Sequence, residues 1–119
     1  VSALKLVIKL LLGPYTFEHS EVAAKIAEKA VEKGAEVVLF LYMDGVHCVK
    51  RGQRPREFAN IGEKMAQLAR MGVKVVACMR CATARGYSGD DVVEGSSLEP
   101  LHYFAEQVRN ADVVMTIGT

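Results

Sequence analysis

The sequence predicts an α/β protein, a three-layer α/β/α arrangement around a mainly parallel sheet, formed as one domain over residues 1–119. Two observations carry this. Apolar runs of strand length recur along the chain, each stopped by turn residues such as Gly13-Pro14 or Asp44-Gly45. Between them lie stretches whose apolar residues repeat at three and four, as in a helix that buries one face. Strands alternating with helices at these lengths call for right-handed crossovers, hence parallel pairing with helices on both faces.

Ala3 to Leu12 is a nearly continuous apolar run carrying only Lys5 and Lys9, and it reads as the first, central strand. After a loop from Tyr15 to His19, one helix face takes Val22, Ala23, Ile26, Ala27, Ala30 and Val31, and the other is charged; Gly34 ends it. Ala35 to Tyr42 is rich in branched and aromatic residues on both alternating faces, as in a parallel strand covered on two sides. Pro55, whose missing N–H costs nothing in a first helical turn, opens the next helix, with Phe58, Ile61, Met65, Leu68 and Ala69 buried ahead of Gly72. Val73 to Ala77 is the third strand. A polar loop fills Gly86 to Gly95. Ser96-x-x-Glu99 has capping-box spacing for a helix that turns Leu101, Phe104, Ala105 and Val108 inward, and Asp112 to Ile117 closes the sheet as a fourth strand.

Half the residues are hydrophobic and 24% are charged, the balance of a globular chain. Fifteen Lys and Arg against fourteen Asp and Glu leave a net charge of +1, so nothing global points to an anionic membrane, and no direct nucleic-acid contact is expected. The first apolar run is too short and too charged to span a bilayer, and no small-residue cleavage pattern follows it; a cytoplasmic location is expected. Neither a Gly-x-Gly-x-x-Gly nor a Walker pattern follows any strand, so no nucleotide cofactor is expected.

In open parallel sheets the functional crevice lies beyond the carboxyl ends of the strands. That rule selects Gly13 to Tyr15, Asp44 to Cys48 and Cys78 to Gly86, and all three cysteines fall within it. Cys78 follows its strand directly and precedes good helix formers, so its thiol sits at a helix N-terminus. There the backbone N–H groups, with Arg80 or Arg85 nearby, favour thiolate. Cys78 could equally be a small hydrophobe filling the strand end. Cys81, one helical turn on, could resolve an oxidised Cys78, bind a metal with it, or pack. A zinc site would normally need a second cysteine pair, and only His47 and Cys48 could complete four ligands. His47 could assist proton transfer, whereas Cys48 reads most simply as packed beneath its loop. Lys50, Arg51, Arg54 and Arg56 form a basic cluster suited to an acidic partner or a phosphate.

Cys78, then Ala82-Thr83-Ala84-Arg85-Gly86-Tyr87, then the acidic Gly89-Asp90-Asp91 loop, a helix and a last apolar strand resemble the DsrE/DsrF/TusD-like sulfur-relay family. The resemblance extends to the Gly13-Pro14 loop and the Asp44-Gly45-Val46 turn, and so to nearly the whole chain. It implies a flavodoxin-like winding and a cysteine after the third strand, here Cys78, that accepts sulfane sulfur as a persulfide and passes it on. It also implies sulfur donor and acceptor proteins as partners, and homotrimers or hexamers, often with homologous subunits. Cys81 departs from the family's commoner pattern, which has a small residue there. Two other readings stay open: a dithiol redox protein using Cys78 and Cys81, and a non-catalytic subunit of a hetero-oligomer.

Overall fold

The first apolar run does form a strand, β1 (Lys5–Leu10), in the computed structural model, which describes residues 3–118. It is followed by α1 (His19–Glu32), β2 (Glu36–Leu41), a 3₁₀ segment (Met43–Val49), α2 (Ile61–Arg70), β3 (Lys74–Cys78) and the short α3 (Met79–Ala84). A second 3₁₀ turn (Gly89–Asp91), β4 (Ser97–Glu99), α4 (Leu101–Arg109) and β5 (Val113–Ile117) complete the chain. The five strands form one sheet in the order β4-β3-β2-β1-β5, and every pair is parallel. The three-layer parallel arrangement stands, but the winding is not the flavodoxin order 2-1-3-4-5: here the chain reverses only after β4. The placement of the helices follows from handedness. From β1 through β2 to β3 the chain steps in one direction, which puts α1 and α2 on one face, in contact with each other. The return from β4 across to β5 then places α4 on the opposite face.

The register confirms the two faces. Lys9 and Phe40 are partners across the β1–β2 pair and share a face. The Phe104 ring of α4 packs at a tilt against Phe40, 4.8 Å between centroids, and Lys9 reaches over both Phe104 and Tyr42. Leu6, Ile8, Leu10, Leu39 and Leu41 point the other way and pack with Ala23, Ala24 and Ala27 of α1 and Met65 and Leu68 of α2. β2 is therefore buried on both sides, as its continuous apolar run requires.

Three further expectations are corrected. The second helix begins at Ile61, not Pro55: Asn60 caps it by accepting the Glu63 N–H at 3.0 Å, and Phe58 lies outside it, 61% exposed. Ser96-x-x-Glu99 is no capping box, because Ser97–Glu99 pairs with the end of β3 as a fifth strand. The reciprocal cap lies earlier, where Ser88 and Asp91 close the Gly89–Asp91 turn. In α4 the half-buried positions are Tyr103, Phe104, Gln107 and Val108, while Leu101 and Ala105 face outward.

Candidate functional site

The carboxyl ends of β1, β2 and β3 meet in one region, and β3 delivers Cys78 there. Cys78 is both the last residue of β3 and the N-cap of α3, with an extended backbone that lets strand turn into helix without a linker. It is 1% exposed. One turn along, Cys81 is 9% exposed, and its Sγ accepts the Met43 N–H at 3.2 Å. Burial pushes the Cys81 thiol up, and the Cys78 thiol beside it acts the same way; the Met43 N–H and the Arg85 charge pull it down. Met43 holds a left-handed backbone, φ 54°, unusual for a residue with a side chain. The two thiols thus lie together beneath the turn that follows β2.

Arg85 fastens that turn to α3. Its Nε and Nη2 donate to Asp44 Oδ1 at 3.0 and 2.8 Å, and its Nη1 donates to the Cys81 carbonyl at 2.9 Å. The helix ends just beyond, in a Schellman motif. Gly86, at φ 85°, donates to Thr83 O, and Tyr87 N–H reaches back to Ala82 O. That closure sets Tyr87 against the 3₁₀ segment, where its hydroxyl lies 2.6 Å from His47 Nδ1. His47 Nε2 is 3.7 Å from Asp44 Oδ1, so one carboxylate faces both Arg85 and His47. Burial pushes the Tyr87 phenol up, partly offset by Arg85 and reinforced by Asp91.

Beside this network is an open cleft of about 430 Å³ over the β1–α1 loop, walled by Tyr15, Phe17, His47, Lys50, Gln53 and Tyr87. Tyr15 is positioned from two sides: its hydroxyl donates to Gln53 Oε1 and accepts the Ile61 N–H. The Gln53 amide donates to the carbonyls of Cys48 and Lys50, and an isolated bridge joins Lys50 to Val92. The segment between the 3₁₀ turn and α2 is irregular but bonded in place.

The residues singled out in the sequence therefore separate into groups. Cys78, Cys81 and Arg85 come together, and His47 joins them through Asp44. Tyr15 lies across the cleft. Cys48 is fully buried, its thiol pushed up to about 12 by burial alone. Arg80 is exposed and makes no hydrogen bond or ion pair among the described residues. Arg51, Arg54 and Arg56 are exposed loop residues. Among the described residues no three His, Cys, Asp or Glu side chains converge as metal ligands. Gln53 and the Tyr87 side chain are candidate-site residues that the sequence does not mark. Gln53 carries no local signal, and Tyr87 only follows the glycine that ends α3.

The chain matches a known family over almost its whole length: the model of the DsrE/DsrF-like family aligns with residues 5–117. The chain belongs to the DsrE/DsrF-like family. Its relatives include an uncharacterised protein of Methanopyrus kandleri, 38% identical over 87% of this chain and 85% of that one. YchN of Escherichia coli is 32% identical over 94% of this chain and 97% of its own, and its crystal structure superposes with a TM-score of 0.82 over 97% and 99% of the two chains. A DsrE protein of Allochromatium vinosum, whose name carries a provisional sulfurtransferase assignment, is 33% identical over 70% of this chain and 66% of its own. The five-stranded parallel sheet is thus the fold of the DsrE/DsrF-like family, and no helix among the described residues is long and apolar enough to cross a membrane.

Proposed function

We propose that this DsrE/DsrF-like chain is a sulfur carrier whose working group is the Cys78 thiol. The observation that carries the reading is the placement of Cys78 at the β3–α3 junction, on the edge of the sheet where parallel α/β proteins do their chemistry. The family membership and the sulfurtransferase-named relative supply the direction. In the loading step the Cys78 thiolate attacks the outer sulfur of a donor persulfide. The donor S–S bond breaks, the donor leaves as thiolate and takes a proton, and Cys78 becomes Cys78–S–SH. Unloading is the same exchange run onto an acceptor thiolate, so no external oxidant or reductant enters. The donor and acceptor are proteins, the domain works as a homotrimer or hexamer, and the compartment is cytoplasmic.

Cys81 gives this carrier a second outcome. Its thiol can attack the inner sulfur of Cys78–S–SH, releasing hydrosulfide and leaving a Cys78–Cys81 disulfide. The adjacency of the two thiols favours that step, and the raised Cys81 thiol restrains it near neutral pH.

Intact-mass analysis after exposure to a sulfane-sulfur donor tests the assignment. The expected result is a gain of about 32 Da that dithiothreitol removes and that Cys78→Ser abolishes. A Cys78→Ser protein that still carries the adduct sinks the assignment. A wild type that passes directly to a disulfide with no adduct favours the dithiol reading.

A further inference from the structure

The cleft over the β1–α1 loop contains none of the three cysteines, and the persulfide chemistry leaves it unexplained. Its polar groups are unevenly spent. Three side-chain acceptors are engaged within the protein: Tyr15 O by the Ile61 N–H, Gln53 Oε1 by Tyr15 and the Gly62 N–H, and Asp44 Oδ1 by Arg85. Among the donors, the Tyr15 hydroxyl and the Gln53 amide are likewise spent within the protein, which leaves Lys50 and His47 Nε2 with capacity to spare. Lys50 Nζ makes one hydrogen bond, to the Arg51 carbonyl at 3.0 Å, and no ion pair among the described residues. Asp91 feels the Lys50 charge, but its carboxylate is held by the N–H and hydroxyl of Ser88. His47 Nε2 has only the 3.7 Å approach to an Asp44 already shared with Arg85.

Charge and shape then select a ligand class. Asp44 and Arg85 cancel, which leaves Lys50 as the cation on the cleft wall; the carboxylate that shares its field, Asp91, is not among the cleft's lining residues. At the other end, Glu18 and Glu21 line the neighbouring hollow at the start of α1, so that helix terminus does not compete for an anion. Tyr15, Phe17 and Tyr87 present ring surface, with Phe17 55% exposed. A volume of about 430 Å³ suits a small organic molecule rather than a bare ion. We propose that the cleft binds a small organic anion, its carboxylate or similar oxyanion head on Lys50 and His47 and its apolar body against Tyr15 and Phe17. The proposal stands whether or not Cys78 carries sulfur.

Benzoate is a suitable probe, followed by amide chemical-shift titration of the full chain, with benzamidine as the cationic control and inorganic sulfate as the bare anion. Saturable binding is expected with a dissociation constant on the order of 1 mM, given the size of the probe. The shifts should centre on Gly13 to Phe17, His47 to Gln53 and Tyr87. Lys50→Met should weaken benzoate about fivefold and Lys50→Arg should restore it. Phe17→Ala should weaken benzoate while leaving sulfate unchanged. The proposal is overturned if benzamidine binds as tightly, if Lys50→Met makes no difference, or if the shifts fall elsewhere. Sulfate binding as tightly as benzoate would overturn the organic body.

Discussion

Replacing Asp44 by asparagine keeps the shape of the turn after β2 but removes the charge that two Arg85 donors share. Cys78 and Cys81 are buried, and the Cys81 Sγ lies against the Met43 N–H of that turn, so labelling of Cys81 is expected to speed up when the turn lifts from α3. Asp44 is 63% exposed, which limits the ion pair to the upper end of the surface range, about 1 kcal/mol. Lifting the turn also breaks the Met43 N–H to Cys81 Sγ contact, but that cost is common to both proteins and cancels. The open population should therefore rise about fivefold. Labelling by Ellman's reagent in a Cys48→Ala background reads it, at concentrations where the rate is linear in reagent and reports the opening equilibrium. A fivefold faster rate with global stability shifted by no more than the same 1 kcal/mol is expected. A rate within twofold of the parent refutes the idea that Asp44 and Arg85 hold the cover down.

Burial raises the Cys48 thiol from an ordinary 9.0 to about 12, so the folded state holds its proton where the unfolded chain releases it. That stability is complete below about pH 9 and is lost as pH rises towards 12; about 2 kcal/mol should be gone by pH 10.5, and urea titrations of Cys48→Ala should lack this part of the alkaline slope. At Gly45 a Cβ would collide with the Leu10 carbonyl, so Gly45→Ala should cost on the order of 3 kcal/mol or more in urea unfolding. Gly89→Ala, which meets nothing, should stay within about 0.5 kcal/mol.

The parts of the fold legible in sequence are those where burial imposes a long pattern. β1 and β2 announce themselves because a strand covered on both faces has little room for polar residues, and Lys9 is accommodated by placing its ammonium over the Tyr42 and Phe104 rings. β4 was missed because Ser97-Leu98-Glu99 contains a single apolar residue, too little for any period, and Ser96 and Glu99 happen to stand at capping distance. Pro55 misled in the same way: it suits a first helical turn, yet the helix waits for Asn60, because Gln53 and Tyr15 hold the intervening chain in an irregular path. The site divides along the same line. That Cys78 and Cys81 lie one helical turn apart follows from spacing. That Asp44 meets Arg85, and His47 meets Tyr87, each about forty residues away, comes only from the stacking of β2 against β3.

The pairing of β1 with β5 bears on how the protein is made. Lys5 N–H donates to the Asp112 carboxylate across 107 positions of sequence, so the fourth helix and last strand must exist before one side of β1 is satisfied. At about 5–20 residues per second, a ribosome needs roughly five to twenty seconds between synthesising the two strands. Through that interval Lys5–Leu10, a run of backbone donors and acceptors flanked by apolar side chains, stands as an open edge. Lys5 and Lys9, the only charges in that strand, sit where they can keep two unfinished copies from zipping together.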